Sequence, residues 1–475
     1  MEYRKSIVGR KHEQEILQMC VDSPKAEFIA VYGRRRIGKT YLVKQFFGEK
    51  FDFYTTGIYN VSRAEQLKRW QEQLYRYSGT KRTRPKDWFE AFMQLQEFVE
   101  SLSDKECVSI FIDELPWLDT PKSGFIRALE LFWNSWAADR RGLKLVVCGS
   151  ATTWMTNKLL GDKGGLHNRV TRAIRLSPFT LKETEEYLKS IGIEWARSEV
   201  LDAYMILGGT PFYLSLLRPE LLSLSQNVDE LFYSQNATLN AEYDFLFTSL
   251  FNNAALYRRV VETLASKLRG MTREELIKAL KVADNGLMSE VLDNLRKCDF
   301  VRSYQAFGKK EKGAIFQLAD MYTLFYLRFV KNYYGLDEHA WSKMNDARRN
   351  VWAGYAFEQV CIHHINQIRQ ALGISGIASD VSAWYCKDDQ QGAQIDLVID
   401  RSDKSIDLCE MKYCDHQFEL KKEYVEWMRE RRELFKLKTG TRKSLRLTMV
   451  SSGGIKLGKY SSAIQGNVVL DDLFE

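Results

Sequence analysis

The sequence predicts an α/β protein in which a parallel sheet is followed by helices and then by a second α/β region. Three observations carry this prediction. Short apolar runs alternate with helix-like segments up to about residue 178, which is typical of a parallel sheet covered on both faces. A glycine-rich segment joins the first apolar run to the following helix. After about residue 345, two further apolar runs carry acidic residues.

Five apolar runs in the first part of the chain have the length and composition of buried strands. They occupy residues 26–32, 53–56, 107–113, 143–150 and 171–176. Helical periods lie between and after them, at residues 61–77, 87–102, 123–138 and 152–160. We therefore predict one parallel-sheet domain over residues 1–178.

The chain then becomes helical. Residues 179–250 are predicted to form a helical lid, because a capping box begins at Thr180 and the GGTP segment (208–211) ends one helix and begins another. Residues 251–335 contain three short helical segments followed by a hairpin with a charged turn. That order predicts a winged helix-turn-helix.

The last region, residues 345–475, returns to mixed structure. A helix at 352–370 precedes two strand runs, AQIDLVID and SIDLCEMKY, and a basic helix spans 420–437. Further strand-like runs occur at 444–450 and 467–472. This pattern predicts a second α/β domain with its own core.

Composition sets broad limits on function. The net charge of +7, from 69 Lys+Arg and 62 Asp+Glu, permits an anionic partner without requiring one. The eight cysteines form no CxxC pair, which predicts reduced thiols. The first residues lack a signal-peptide core, and no run of eighteen apolar residues occurs. We expect a cytoplasmic protein without a membrane partner.

The glycine-rich segment GRRRIGKT (33–40) fits the phosphate-binding pattern GxxxxGK[ST], and it has a strand before it and a helix after it. The two glycines let backbone N–H groups face phosphates, Lys39 reaches the β- and γ-phosphates, and Thr40 offers its hydroxyl to Mg²⁺. ATP and Mg²⁺ are therefore the predicted ligands. The predicted nucleotide contacts are Gly33, Arg34, Arg35, Arg36, Ile37, Gly38, Lys39, Thr40 and Tyr41. The arginine side chains are expected to point outward.

A second segment, VSIFIDE, places two acids at the end of an apolar strand. Asp113 is predicted to bind Mg²⁺, and Glu114 to orient or deprotonate the attacking water. The next strand ends at Ser150, a candidate γ-phosphate sensor or an ordinary strand end. Arg169 and Arg172 are candidates for an arginine finger, although either also fits a solvated surface position.

Six blocks within residues 1–220 resemble, in order, the archaeal-type ATPase family of P-loop proteins, which is related to AAA and STAND ATPases. The blocks are VGRKHEQEIL, VYGRRRIGKTYLV, FIDELPWL, LVVCGSATTWM, RLSPF and GGTPFYL. The resemblance implies a sheet in which the strand ending at Ser150 separates the strand of the phosphate loop from the strand ending at Asp113. It also implies that Pro211 lies near the adenine and residues 8–10 near the base.

Members of this family often continue with a winged helix and a restriction-endonuclease-like domain of the PD-(D/E)xK type. The C-terminal region carries the residues that such a domain needs: Glu358 on a leading helix, Asp396 on one strand, and Glu410 and Lys412 on the next. Strand alternation places Glu410 and Lys412 on one face. The three acids are predicted metal ligands, and Lys412 is predicted to stabilise the attacking hydroxide or the developing phosphorane charge.

Other polar groups near these acids carry weaker signals. Gln394 and Gln417 flank the set. Cys409, Cys414 and His416 offer a zinc alternative, but their CxxxxC spacing is unusual and a second pair is missing. The adjacent His363 and His364 are expected on a helix surface.

Support for nucleic-acid binding is general. Residues 418–446 contain ten Lys/Arg against five Glu, with Tyr424 and Trp427 among them, a pattern that a salt-bridged surface helix also gives. The wing lysines are candidates for phosphate contacts, or the wing packs against the nucleotide domain instead. These lysines are Lys309, Lys310 and Lys312.

The sequence therefore predicts an ATPase that couples its nucleotide state, through the lid and winged helix, to a nuclease-like domain acting on DNA. One alternative is a C-terminal domain that binds DNA or a protein without catalysis. Another is a nucleotide-gated scaffold with little turnover, against which Glu114 argues. Expected partners are ATP, DNA or a protein, and further copies of the chain.

Overall fold

A computed structural model describes residues 7–102, 105–161, 166, 168–251, 253–308, 313–335, 337–386 and 392–475. The chain divides into two compact units, Met1–Pro178 and Phe179–Glu475. The candidate wing residues Lys309, Lys310 and Lys312 lie outside the described residues. Within the described ranges, every helix is too short or too polar to cross a lipid bilayer.

The first unit is built on a five-stranded sheet. Its strands are β1 (Glu27–Tyr32), β2 (Phe53–Thr56), β3 (Val108–Asp113), β4 (Leu143–Gly149) and β5 (Arg172–Arg175). The strand order is β2-β3-β4-β1-β5, and every neighbouring pair is parallel. The strand ending before Ser150 thus lies between the strand of the phosphate loop and the strand ending at Asp113, as the family resemblance implied.

Helices cover both faces of this sheet. They are α1 (Lys11–Asp22), α2 (Lys39–Phe46), α3 (Arg63–Ser78), α4 (Trp88–Glu100), α5 (Phe125–Ser135) and α6 (Thr152–Trp154). Alternate residues of each strand enter different cores: Phe28 and Ala30 pack with α3, α4 and α5, whereas Ile29 and Val31 pack with α1 and α2. This two-sided burial explains why the strands are continuous apolar runs. The sequence analysis did not predict α1.

The second unit begins with helices α7 (Leu181–Ser190), α8 (Arg197–Leu207), α9 (Pro211–Leu214), α10 (Leu224–Phe232) and α11 (Thr238–Thr248). The capping box predicted at Thr180 is present, with Glu183 as its partner. Gly208 and Gly209, both at positive φ, separate α8 from α9, and Pro211 occupies the first turn of α9.

Three helices and a hairpin follow. The elements are α12 (Ala254–Ala265), β6 (Met271–Thr272), α13 (Arg273–Leu280), α14 (Gly286–Lys297), β7 (Val301–Tyr304), β8 (Ile315–Leu318) and α15 (Met321–Phe325). The strands form an antiparallel sheet in the order β6-β8-β7.

The C-terminal region carries a mixed five-stranded sheet in the order β15-β13-β11-β10-β9. Its elements are α16 (Asp346–His363), α17 (Ile365–Ala371), β9 (Ser379–Cys386), β10 (Ala393–Arg401), β11 (Ser405–Lys412), β12 (Phe418–Glu419), α18 (Lys422–Thr439), β13 (Ser444–Ser451), β14 (Ile455–Lys456) and β15 (Gly466–Val469). Strands β9, β10 and β11 are antiparallel, whereas β11, β13 and β15 are parallel. Helix α18 therefore forms the crossover that a parallel β11–β13 pair requires.

The helix predicted at 352–370 is two helices that meet at His364. The expectation that His364 lies on the surface is wrong, because only 1% of it is exposed. Its Nε2 accepts a hydrogen bond from the Leu181 N–H at 2.9 Å, and its Nδ1 lies 2.8 Å from the Val360 carbonyl oxygen. These contacts assign the proton to Nδ1, and burial lowers the pKa of His364 to about 4.

One hydrophobic core extends through the second unit. The same cluster contains Leu207 before the GGTP segment, Phe325 after the hairpin, Phe357 on α16, Met411 on β11 and Leu473 near the C-terminus. The lid helices, the three-helix segment and one face of the mixed sheet thus share this core, whereas strands of the sheet and α18 also form two smaller clusters of their own.

Candidate functional site

The phosphate loop connects β1 to α2 at the carboxyl edge of the first sheet. Gly33 has φ of +143° and Gly38 has φ of +85°. A Cβ atom on Gly33 would lie 2.3 Å from the Leu176 carbonyl oxygen, so only glycine fits there. Arg36 also has a positive φ of 74°. Among the residues of this loop, Arg36 is therefore the one held in a backbone conformation that is costly for a non-glycine residue.

Two side chains close the loop. Lys39 is 5% exposed, and its Nζ donates a hydrogen bond of 2.9 Å to the carbonyl oxygen of Arg34. The Thr40 hydroxyl donates to Oδ2 of Asp113 at 2.9 Å. The start of α2 and the end of β3 therefore meet through the hydroxyl and the carboxylate that the sequence predicted as Mg²⁺ ligands.

Asp113 is in an unusual electrostatic environment. Burial and the charge of Glu114 raise its pKa to about 6, while hydrogen bonds from Thr40 and the Glu114 N–H, and the charge of Lys39, act in the opposite direction. A buried carboxylate of this kind gains most from a nearby cation. The donor set, a carboxylate and a hydroxyl beside a phosphate loop, fits a hard divalent ion such as Mg²⁺.

Glu114 directly follows the last residue of β3, and its side chain contacts the end of the neighbouring strand β4. Its φ is +45°, and its carboxylate accepts hydrogen bonds from both the N–H of Ser150, at 3.1 Å, and the hydroxyl of Ser150. The ends of β3 and β4 are thereby joined by their two polar residues. Ser150 is 5% exposed, so it belongs to the interior edge of the site.

The arginines around the loop differ in exposure. Arg34 is only 1% exposed, so the expectation that all three loop arginines point outward is wrong for it. Arg35 and Arg36 are half-buried, whereas Arg169 and Arg172 are exposed.

Tyr41 is exposed, and Ile37 is buried in the core around α1 and α2. Arg10 is a contact that sequence reasoning missed: it is buried, and its guanidinium donates to the Ser177 carbonyl oxygen at 2.6 Å and to that of Ile37 in the loop at 3.5 Å.

The second unit contains a cavity of about 580 Å³. All four predicted nuclease-type residues line it: Glu358 from α16, Asp396 from β10, and Glu410 and Lys412 from β11. Leu397 pairs with Cys409, so Asp396 and Glu410 follow side by side at the end of that ladder. Where β10 pairs with β9, the register shifts between Ile395 and Val398, a stretch that contains Asp396, and such irregularities commonly re-aim side chains beside functional sites.

The charged groups of the cavity are held by neighbours. Gln394 donates to Asp396, as its flanking position suggested. The hydroxyl of Tyr424 on α18 donates to Oε1 of Glu410 at 3.0 Å, and Lys412 Nζ lies 3.3 Å from the same oxygen.

No group of three or more His, Cys, Asp or Glu side chains among the described residues is arranged to hold a metal ion. The three acids therefore line one cavity without being arranged as the ligands of a single metal ion. Cys409 is buried, and Gln417 and His416 are exposed.

Burial perturbs the acids of the cavity. It raises the pKa of Glu358 to about 8, assisted by the charges of Asp396 and Glu410, while Lys412 and Arg302 act in the opposite direction. Burial also raises the pKa of Glu410. Carboxylates perturbed by desolvation and by one another are characteristic of functional sites, although structural networks also produce them.

The cavity lining also includes residues of strands β7 and β8 that the sequence did not indicate. They are Arg302 and Tyr304 on β7 and Gln317 on β8. From α18, Arg431 donates to the Gln394 carbonyl oxygen at 2.8 Å and stacks on Trp427, with its guanidinium carbon 3.5 Å from the ring centroid. No local motif marks Arg302, because its role depends on packing between segments far apart in the chain.

Comparison with known proteins supports the interpretation of residues 33–40 as a phosphate-binding loop. Residues 7–217 match the family described as the ATPase domain predominantly from Archaea. An uncharacterized protein of Methanocaldococcus jannaschii is 25% identical over 418 residues, which is 86% of this chain and 88% of that protein. An uncharacterized ATP-binding protein of the same organism is 49% identical over 43 residues, which is 9% of this chain and 73% of that protein.

Among solved structures, a Walker-type ATPase of Pyrococcus abyssi has a TM-score of 0.49 and 18% identity, covering 69% of this chain and 97% of the other. The family match covers the residues that form the parallel sheet and the strand–loop–helix segment around Lys39. The chain therefore carries a P-loop of the ATP-binding type, and its residues 7–217 are similar to the ATPase domain of the predominantly archaeal family.

Proposed function

We propose that this chain is an Mg²⁺-dependent ATPase whose nucleotide state controls a nuclease-like C-terminal domain acting on DNA. The proposal of a nuclease-like domain rests on one observation, which is that four predicted site residues line one cavity: Glu358, Asp396, Glu410 and Lys412. Four polar groups from three elements meet there although up to 54 residues separate them in sequence.

The topology of the second unit supports the domain assignments. We assign residues 179–250 to a helical lid and residues 251–335 to a winged helix, which is consistent with three helices followed by an antiparallel hairpin. We assign residues 345–475 to a restriction-endonuclease-like fold of the PD-(D/E)xK type. A leading helix, three antiparallel strands, a crossover helix and two parallel strands support it.

In the proposed ATPase, Thr40 and Asp113 would hold Mg²⁺, and the ion would supply positive charge to the phosphates. Loop N–H groups from Gly33 to Thr40 and the ammonium of Lys39 bind the phosphates. Lys39 already contacts a loop carbonyl, so phosphate binding exchanges that contact for an anionic one.

Glu114 orients or deprotonates the attacking water, and Ser150 holds the Glu114 carboxylate at the strand edge. A movement of Ser150 on contact with the γ-phosphate would then reach Glu114 directly. We assign Pro211 to the adenine environment and exposed Arg169 to the role of arginine finger, which in an oligomer acts on a neighbouring copy.

The test combines both sites. Cleavage of supercoiled and linear DNA is followed with Mg²⁺ or Mn²⁺, with and without ATP, for wild type, Lys39→Ala and Asp396→Ala. We expect Lys39→Ala to lose ATP binding and ATP-dependent control of cleavage, and Asp396→Ala to lose cleavage while keeping ATPase activity. Equal nicking by wild type and Asp396→Ala would remove Asp396 from any cleavage reaction.

A second function has a specific observation in its favour. Because the described acids do not form a ready metal-binding group, the C-terminal domain also fits a module that binds DNA or a protein without cutting it. Calorimetric titration with Mn²⁺ separates the two functions. A site that disappears in both Asp396→Ala and Glu410→Ala supports the nuclease, and absence of any such site supports the binding module.

A further inference from the structure

The cavity of the C-terminal domain is closed by another segment of the second unit. Strands β7 and β8 contribute Arg302, Tyr304 and Gln317 to its lining, which also includes Asp396 and Glu358. The residues after β7 reach the edge strand β9: Ala306 forms a bridge with Ala383, and the Phe307 N–H donates to the Ala383 carbonyl oxygen at 2.9 Å. Phe307 also packs against Phe435 of α18, with ring centroids 4.8 Å apart. The hairpin is thus a fixed wall of the cavity.

Arg302 is positioned by a dedicated partner. Its Nε and Nη2 both donate to Oε1 of Gln317, at 2.9 and 2.6 Å. Gln317 in turn donates to the Leu268 carbonyl oxygen at 2.7 Å and to the Tyr355 hydroxyl at 3.3 Å. This network orients the planar guanidinium and leaves one of its three nitrogens without a partner among the described residues. Its Nη1 is buried and has no hydrogen-bond partner within the described part of the chain.

A buried donor without a partner is costly, and a buried arginine remains charged. The carboxylates nearby do not supply that partner. Asp396 is bonded to Gln394, and Glu410 to Tyr424 and Lys412. Among the described residues, Glu358 also forms no hydrogen bond with Nη1 of Arg302. Four basic side chains line the cavity against three acidic ones, which favours an anionic ligand; the basic residues are Arg269, Arg302, Lys412 and Arg431.

The size of the cavity restricts that ligand. A volume of about 580 Å³ is that of a small-molecule site. We expect a space of this size to take a short stretch of a single strand rather than both strands of a duplex. Tyr304 and Trp427 add aromatic rings to the lining, and aromatic side chains beside basic groups are the usual means of holding single strands.

We propose that Arg302 binds a backbone phosphate of a single nucleic-acid strand in this cavity, and that the cavity accepts single-stranded rather than duplex nucleic acid. The inference rests on the proposed assignment of the cavity to nucleic acid. It adds a phosphate-binding residue from the hairpin to the groups supplied by the C-terminal sheet.

Fluorescence anisotropy of a labelled single-stranded DNA, its blunt duplex and an RNA of the same sequence tests this. The full chain is used, with Ca²⁺ as the only divalent ion so that cleavage does not interfere. Arg302→Gln should weaken single-strand binding about tenfold or more, because one charge-assisted hydrogen bond is lost. Arg302→Lys should lose less, since it keeps the charge without the planar fork. Arg218→Gln, which removes an exposed arginine paired with Glu230, is the control and should bind as wild type does.

The salt dependence of binding separates phosphate contact from a purely structural role. The slope of log affinity against log salt should fall by about 0.7 in Arg302→Gln, the value for one phosphate of a single strand. Equal affinity and slope in wild type and Arg302→Gln, a matching loss in Arg218→Gln, or tighter binding of the duplex than of the single strand would each overturn the inference. If Arg302→Gln does not fold, Arg302→Lys carries the comparison. Arg302-dependent binding together with no Asp396-dependent cleavage would refute the nuclease and leave this inference standing.

Discussion

Replacing Gly33 by alanine tests the geometry on which the nucleotide site depends. The residue has φ of +143°, and an added Cβ would lie 2.3 Å from the Leu176 carbonyl oxygen and 2.6 Å from Cδ1 of Ile37. The Ile37 methyl group can rotate away. The Leu176 carbonyl has less freedom, because the Leu176 N–H donates to the Tyr32 carbonyl oxygen on β1 at 2.8 Å. The loop must therefore move by about 1 Å to restore an ordinary contact.

Two costs add in Gly33→Ala. The backbone strain of an alanine at this φ is about 1–3 kcal/mol, and overpacking against a fixed backbone costs about 1–3 kcal/mol more. The minimum of about 2 kcal/mol is substantial against the 5–15 kcal/mol that typically stabilises a domain. For a unit of this length, the Tm should fall by at least about 4 °C. A displacement of about 1 Å in the phosphate-binding N–H groups should also reduce turnover by about 10²-fold.

The assay compares Tm, titration with a fluorescent ATP analogue, and phosphate release. Gly79→Ala is the matched control, because Gly79 also has a positive φ, of +65°, but no atom lies within 4 Å of an added Cβ. It should lose about 1–2 kcal/mol from strain alone and keep its affinity for the nucleotide. Wild-type nucleotide affinity and turnover in Gly33→Ala would refute the argument that this backbone approach fixes the loop.

Three further substitutions test other parts of the site and fold. Glu114→Gln should lower phosphate release by about 10²- to 10⁴-fold while ATP binding is retained, because the bond to Ser150 can persist but the base is lost. Glu358→Gln should be more stable than wild type in urea above pH 4.5. In wild type, Glu358 binds its proton more tightly in the folded state, where its pKa is about 8. As the pH rises from 4.5 to 8, the stability of wild type should therefore fall relative to the variant, by at most about 1.4 kcal/mol per pH unit. A stability difference that does not change with pH would contradict this. His364→Ala should cost about 1–3 kcal/mol in urea denaturation, because the Leu181 N–H loses its acceptor. Because the folded pKa of His364 is about 4, wild type should also lose stability as the pH falls from 6.5 toward 4, and the variant should lack that component.

The nucleotide site was predictable from sequence because its residues follow strand ends. The loop 33–40, Asp113 and Ser150 each come directly after a buried apolar run, and parallel strands bring such ends to one edge. Local pattern was therefore sufficient to identify which groups meet. It did not show that Arg34 is buried or that Arg10 reaches the loop, since both depend on tertiary packing.

Only the part of the acidic cavity formed by α16, β10 and β11 was predictable from the sequence. Strand alternation and the short turn between β10 and β11 brought Asp396 to Glu410, as the sequence indicated. The register shift around Asp396, the strand β9 beside it and the Arg302–Gln317 pair on the hairpin were not indicated. These features depend on contacts between separate helices and strands. Such contacts leave no periodic pattern in the sequence of either segment. His364 shows the same limit, because an adjacent pair of histidines looks like a polar helix face until a distant backbone N–H is packed against one of them.

The continuous core from Phe179 to Phe474 has a consequence for the history of the chain. A domain with its own core can be exchanged between proteins by recombination at a linker. Here, replacing the region after residue 345 would expose apolar surface on α8 and α15 that evolved against it. We therefore expect the region after residue 345 to be inherited together with the helices before it, rather than exchanged between proteins as a separate domain.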